Sequence, residues 1–155
     1  MDNKMKSTLS IRKATKSDIE TIAQFNINMA LETENKVLPR EIITKGVETL
    51  INNNHLGFYL MAEKDSKVVG SLMITTEWSD WRNGLFWWVQ SVYVIKDYRR
   101  QGIYSALYEH VKKLSKKEPV CGFRLYVEKE NKIAQKTYET LGMYKTGYLL
   151  YEEEK

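Results

Sequence analysis

The stretch from Val92 to Leu107 holds the residues with the plainest chemical use. Val92-Tyr93-Val94 leads through a short connection into Arg99-Arg100-Gln101-Gly102, and Ile103-Tyr104-Ser105-Ala106-Leu107 opens an amphipathic run. A strand, a basic turn with one glycine and a helix start make an arrangement for binding an anion. The first N–H groups of a helix have no intrahelical partner and lie at the positive end of its dipole. Gly102 lets the backbone approach an anion closely. Arg99 and Arg100 add donors matched to phosphate oxygens, and Lys112, Lys113, Lys116 and Lys117 follow on the same helix. Neither G-x-x-x-x-G-K-S/T nor G-x-G-x-x-G occurs, so the common nucleotide loops are excluded. Taken alone, R-R-Q-G fits a solvated basic helix start equally well.

A second cluster suits a cation. Glu77, Trp78, Asp80, Trp81, Trp87 and Trp88 mix acids with aromatics over a short span. Carboxylates attract positive charge, and indole faces bind it through their quadrupoles. The plainer reading places Trp87 and Trp88 on opposite faces of a central strand, at least one of them in the core. Trp78, Asp80 and Trp81, in a polar loop, are then the better residues for a ligand wall. His55 and His110 have no partners at ligand or triad spacing. Cys121 precedes a strand and is expected to be buried rather than nucleophilic. One Cys excludes an internal disulfide, and two His with one Cys cannot build a zinc-finger site. No metal is expected.

These residues need elements to position them. Leu9 to Lys13 alternates as a first strand. Thr15-Lys16-Ser17-Asp18 reads as a capped start for a helix reaching Glu34, with Ile19, Ile22, Ala23, Phe25 and Met29 on its buried face. Pro39 suits the first turn of a second helix, which Asn52-Asn53-Asn54 ends. Phe58 to Glu63 and Val68 to Thr76 predict a hairpin around Asp65-Ser66. Trp78 to Gly84 reads as a loop, which puts Glu77 at the end of a strand. Leu85 to Val94 is nearly continuous apolar and aromatic, as in a strand covered on both faces. Ile103 to Leu114 predicts a helix and Phe123 to Val127 a strand. Asn131 caps a helix from Lys132 to Leu141 that Gly142 stops, and Tyr144 to Glu152 predicts a last strand. The order β-α-α-β-β-β-α-β-α-β describes an α+β or mixed α/β domain.

Composition is consistent with one such domain over residues 1–155. The 155 residues, 43% hydrophobic and 28% charged, lie near globular averages and exclude wholesale disorder. Lys and Arg number 24 against 20 Asp and Glu, a net +4. That mild excess fits a phosphate-bearing small ligand at least as well as a nucleic acid, and no nucleic-acid motif accompanies the lysines around 112 to 117. Met1 to Ser7 lacks the apolar stretch of a secretory signal, and no run of about 18 apolar residues could span a membrane. The expected compartment is the cytoplasm, with neither nucleic acid nor membrane as partner.

Arg99-Arg100-Gln101-Gly102-Ile103-Tyr104, set between strand and helix, resembles the acetyl-CoA signature Q/R-x-x-G-x-G/A of the GCN5-related N-acetyltransferase (GNAT) superfamily. Arg99 and Gly102 match; Tyr104 stands where the family prefers Gly or Ala. Independently, Asn131-Lys132-Ile133-Ala134-Gln135-Lys136-Thr137-Tyr138-Glu139-Thr140-Leu141-Gly142-Met143 resembles the family's N-x-x-A-x-x-x-Y-x-x-x-G-F segment, with Met143 for Phe. The resemblance covers nearly all of the chain and is strongest from 85 to 143.

It implies a mixed, mainly antiparallel central sheet, splayed into a V-shaped slot and flanked by about four helices. The pantetheine arm of acetyl-CoA would lie along Val92-Tyr93-Val94. Arg99, Arg100, Gln101, Gly102, Ile103, Tyr104 and Ser105 would form the pyrophosphate turn, and Asn131 would touch the cofactor near the pantetheine. Acetyl transfer to an amine needs a route to deprotonate an ammonium, donors for the carbonyl oxyanion and an acid for the departing thiolate. The strand N–H groups would serve the oxyanion, Tyr138 the thiolate, and Glu77, through a water, the ammonium. Trp78, Asp80 and Trp81 would bind a cationic amine acceptor, and Glu32 and Glu34 would border it. The implied enzyme is an acetyl-CoA-dependent N-acetyltransferase; the alternative is a non-catalytic acyl-CoA-binding regulatory module. The family usually has two strands after its last helix. Either Tyr144 to Lys155 forms one long strand or a partner chain completes the sheet, which leaves a homodimer open.

Overall fold

The computed structural model describes residues 8–155; Met1 to Ser7, and with them the expectation about a secretory signal, lie outside the described residues. Contacts divide the chain into a unit ending at Leu125 and a unit Tyr126–Lys155. In the first unit the order is β1 (Ser10–Lys13), α1 (Ile19–Glu34), α2 (Arg40–Asn52), β2 (Gly57–Lys64), β3 (Lys67–Ser79), β4 (Gly84–Val94), α3 (Ile103–Ser115) and β5 (Val120–Leu125). The sheet runs β1-β2-β3-β4-β5. Neighbours are antiparallel except β4 and β5, which are parallel and joined through α3, as a parallel pair requires a long crossover.

The strand alternation sets two cores. Tyr59 and Met61 of β2 turn toward α1 and α2, where they pack with Ile22, Val47 and Leu50, and Met73 of β3 joins them. Each such side chain contributes about 1.5–3 kcal/mol on full burial. The opposite face meets α3, whose Ile103, Leu107, Tyr108 and Val111 are buried; Tyr108 meets Phe123 of β5 edge to face, ring centroids 5.8 Å apart. Trp87, beside Phe123 in the ladder, lies on this face and is 5% exposed. Trp88 points the other way and is half-buried, so the two indoles divide between faces as alternation predicts.

The entry to α1 is fixed by a buried carboxylate. Asp18, 5% exposed, accepts from Arg12 Nη1 at 2.7 Å, Arg12 Nη2 at 2.9 Å and the Thr15 N–H at 2.8 Å. The Arg12 guanidinium holds its pKa below the usual carboxylate range, against the opposing effect of burial. A depressed folded-state pKa stabilises above the ordinary carboxylate value, and that contribution is lost as the pH falls through the folded value.

Four expectations are corrected. Pro39 precedes the first residue of α2 in an extended conformation, ψ 121°, so it caps the helix from outside. β3 runs on to Ser79; Glu77 and Trp78 are strand residues, paired with Phe86 and Leu85, and the loop shrinks to 80–83. Cys121 is exposed: it lies at a register shift on the edge strand, between Val120 opposite Leu85 and Gly122 opposite Phe86, and the β4 residue beside it is Gly84, which has no side chain to cover it. The strand expected from Tyr144 to Glu152 is not formed. Residues 143–155 have no regular structure, and Tyr144, Tyr148, Leu149, Leu150 and Tyr151 are exposed. An alternating sequence chooses which side chains share a face, but a strand exists only where a neighbour supplies N–H and C=O partners.

In the second unit α4 spans Lys132–Thr140. Asn131 caps it, its Oδ1 accepting from the Ala134 N–H at 3.1 Å, as its position predicts. The helix closes with the Met143 N–H donating to the Tyr138 carbonyl at 3.0 Å. Among the described residues no helix is long and apolar enough to cross a membrane.

Candidate functional site

One slot in the sheet follows directly from strand lengths. β4 pairs with β3 along almost its whole course, from Ser79 opposite Gly84 to Gly70 opposite Val94. Its pairing with β5 covers only Leu85 to Val89 and stops where β5 ends at Leu125. Among the described residues, the edge of β4 that faced β5 therefore has no ladder partner from Gln90 to Val94. A bulge marks the change: Met73 opposes Gln90 and Ser71 opposes Tyr93, so Leu72 alone faces both Ser91 and Val92. Ser91 takes φ +50°, a left-handed conformation costing roughly 1–2 kcal/mol for a residue with a Cβ. A bulge bends and twists its strand, and this one falls just past the point where the pairing with β5 stops.

The turn that follows is built from unusual backbone angles. Arg100 has φ +62° and Gly102 φ +77°. The first α-helical hydrogen bond runs from the Ala106 N–H to the Gly102 carbonyl at 3.0 Å. The N–H groups of Ile103, Tyr104 and Ser105 precede it and have no carbonyl within the helix to meet. Gly102 is required by its angle rather than by crowding, since a Cβ there would meet no atom within 4 Å. Tyr104, in place of the family's small residue, stacks its ring on Tyr108, centroids 6.2 Å apart and planes 8° from parallel. Gln101 accepts from Lys64 Nζ at 2.9 Å.

Arg99 is already engaged. Its Nε donates to the Val94 carbonyl at 2.8 Å and its Nη2 to Glu32 Oε2 at 2.7 Å. Tyr93 turns toward α1, where its hydroxyl donates to Glu32 Oε1 at 3.1 Å and its ring meets Phe25 at 5.1 Å. Arg99 lowers the Glu32 pKa most, and the Tyr93 hydroxyl adds to that. Tyr93 is raised, chiefly by burial and then by Glu32. The expected strand and turn residues are thus brought together at one end of β4, with Glu32 beside them.

The cation wall is divided. Glu77 lies on the α1/α2 face of the sheet, with Phe86, Trp88 and Gln90, whose Nε2 donates to Thr75 Oγ1 at 2.8 Å. Trp78, the next residue, points to the opposite face and is 58% exposed; Trp81, in the loop, is 88% exposed. Asp80 Oδ1 accepts from the Trp81 N–H at 2.8 Å. Glu77 Oε2 accepts from Arg124 Nη1 at 2.5 Å, and the Arg124 guanidinium lies 3.6 Å from the Phe86 ring centroid. Gly122 makes room for that ring: a Cβ there would come within 2.6 Å of Phe86. Arg124 was not singled out from the sequence. One charged residue in the apolar stretch Val120 to Tyr126, two positions from a glycine on the same face, was the signal available. Tyr126 falls just beyond β5, not on it.

In the second unit, Tyr138 lies on α4, seven positions beyond the capping Asn131. It is half-buried, and burial pushes its phenol pKa up. Among the described residues no group of three or more His, Cys, Asp or Glu is placed to hold a metal ion.

A sheet whose one parallel pair stops partway along β4, a left-handed turn at a helix start and helices on both faces define a mixed α/β architecture. The profile of the acetyltransferase (GNAT) family matches residues 25–143. The crystal structure of a possible acetyltransferase from Clostridium difficile 630 is 49% identical, with a TM-score of 0.88 over 94% of this chain and 97% of that one. An aminoglycoside N-acetyltransferase in complex with CoA shares the fold at 17% identity, TM-score 0.76, covering 97% of each chain. A ribosomal-protein-alanine N-acetyltransferase from Brucella melitensis biovar Abortus 2308 does so at 18% identity, TM-score 0.76, covering 95% of this chain and 99% of that one. No curated protein sequence gives a significant match. The chain belongs to the acetyltransferase (GNAT) family and is an acyltransferase.

Proposed function

We propose that the protein moves an acetyl group from acetyl-CoA to a primary amine of a small molecule or peptide, by direct attack in a ternary complex in the cytoplasm. The observation that carries this reading is the edge of β4 from Gln90 to Val94, which has no ladder partner among the described residues and leads into the turn at Arg99–Ser105; its last carbonyl, that of Val94, accepts from Arg99. An extended pantetheine amide chain can pair with such an edge as an added strand does. The N–H groups of Ile103, Tyr104 and Ser105 suit a pyrophosphate, with Arg100 and Gln101 beside it. Asn131 uses Oδ1 as its helix cap, and its Nδ2 is the group offered to the cofactor. Acetyl-CoA supplies an activated thioester; the protein's task is to hold it, receive charge and move protons. Along Val92 to Val94 the N–H groups on the edge away from β3 meet the developing oxyanion, the Tyr93 N–H facing Ser71 of β3 instead, and Tyr138 gives its proton to the leaving sulfur.

Glu77 is the proposed base. Its Oε2 holds Arg124, so Oε1 is the oxygen that takes a proton from the attacking ammonium through a water. Asp80 and Trp81, in the loop beyond Ser79, are the proposed acceptor wall; Trp78 points to the opposite face of the sheet from Glu77 and is left out of it. Glu77→Gln lowers kcat/KM about 100-fold at pH 7. The deficit shrinks as the pH rises toward the pKa of the amine, about 10.4 for an alkyl amine, because a neutral amine needs no base. A deficit of the same size at every pH assigns Glu77 to holding Arg124 instead.

The reading as a whole is tested by CoA release with a panel of amines: polyamines, aminoglycosides, amino-acid derivatives and peptide N-termini. Amine-dependent release is expected. Tight acetyl-CoA binding with no turnover on any amine would make the chain an acyl-CoA-binding regulatory module.

A further inference from the structure

We propose that Glu32 is a positioning residue that acts through Arg99 to hold the phosphate turn in its binding shape, a role that rests on the acetyl-CoA reading above. Three elements meet at its carboxylate. Glu32 lies in the last turn of α1, Tyr93 near the end of β4, and Arg99 at the entrance to the turn. One carboxylate oxygen accepts from Tyr93 Oη at 3.1 Å and the other from Arg99 Nη2 at 2.7 Å. Arg99 Nε closes the loop on the Val94 carbonyl at 2.8 Å, and its guanidinium lies 5.4 Å from the Tyr93 ring centroid.

The arrangement matters because of what comes next in the chain. Arg99 is extended, φ −70° and ψ 156°, and it is followed by the left-handed Arg100 and Gly102. The direction in which the chain enters that pair decides where the following N–H groups point. An arginine anchored at Val94 and Glu32 has one direction; a free one has many. The guanidinium is thus spent on the protein, and the turn's backbone is left to meet the phosphates.

The pair adds little to overall stability. Its side chains are 40% and 42% exposed, and exposed ion pairs contribute about 0–1 kcal/mol. Its value is geometric, and its removal leaves a folded protein to measure.

The test is a double-mutant cycle on the full chain with Glu32→Gln, Arg99→Gln and the double variant. The first readout needs no ligand: amide hydrogen exchange at Arg99 and Ala106, whose N–H groups donate to the Lys96 carbonyl at 3.3 Å and the Gly102 carbonyl at 3.0 Å at the two ends of the turn. Each single variant exchanges about tenfold faster, the loss expected for a charged hydrogen bond, and the double variant no faster than Arg99→Gln. The second readout is kinetic: KM for acetyl-CoA rises about tenfold and kcat stays within about twofold, since the chemistry is untouched. Unchanged exchange in Glu32→Gln overturns the proposal. So do additive losses in the double variant, which would have Glu32 acting without Arg99. Tighter acetyl-CoA binding by Glu32→Gln also overturns it, by showing that Arg99 serves the phosphates once released. A wild-type protein that binds no acetyl-CoA sinks the acetyl-transfer reading, and the exchange cycle still decides whether Glu32 holds the turn.

Discussion

Gly102→Glu abolishes acetyl-CoA binding and leaves the protein folded. Two effects separate cleanly at this position. A side chain at φ +77° is strained by roughly 1–2 kcal/mol, which lowers the melting temperature by roughly 2–8 °C in a chain of this length. There is room for it, as no atom lies within 4 Å of the new Cβ. The carboxylate adds like charge against a pyrophosphate. At about 4 Å and an effective dielectric of about 20 this is worth about 4 kcal/mol, close to a thousandfold in affinity. Gly102→Ala carries the strain without the charge, so it shows the same melting shift and keeps acetyl-CoA affinity within about tenfold. Calorimetry decides: Gly102→Glu binding as tightly as wild type removes the pyrophosphate from this turn.

Tyr138→Phe has the second large effect, and it falls on rate. Removing one hydroxyl from a half-buried ring leaves the helix packing in place, and acetyl-CoA affinity stays within about twofold. Turnover falls about 100- to 1,000-fold, the range for losing a positioned acid. Burial pushes the phenol pKa upward, so the hydroxyl keeps its proton throughout neutral pH. In the wild type, kcat therefore falls only above the ordinary tyrosine value of about 10, and the Phe variant lacks that alkaline limb. Equal turnover in the two proteins would falsify the acid role.

Much of the architecture was legible because it depends on neighbours in the chain. Thr15 to Asp18 announced a helix start, and Asp18 does accept from the Thr15 N–H. Asn131 announced a cap and makes it. The alternation through Leu85 to Val94 assigned Trp87 and Trp88 to opposite faces. The errors have a common origin in partners. The loop read at Trp78 is strand because Leu85 and Gly84 lie opposite to extend the ladder. The strand read at Tyr144 to Glu152 is absent because no ladder receives it.

The site divides along the same line. Sequence by itself determined the order of elements through α4 and a basic turn whose single glycine opens a helix, and two of its motifs resembled those of the family. These follow from spacing, propensity and the stereochemistry of a few residues. Only the tertiary structure decided how the charges are spent. Arg99 reads as a phosphate ligand until Glu32, 67 residues away, takes its guanidinium. Glu77 reads as an acid for a cation until Arg124, 47 residues on, pairs with it. The side chains of Glu77 and Trp78 part company because a strand turns successive residues to opposite faces. A charge acts according to what lies within a few ångströms of it, and for these residues folding brings in partners that are remote in the chain.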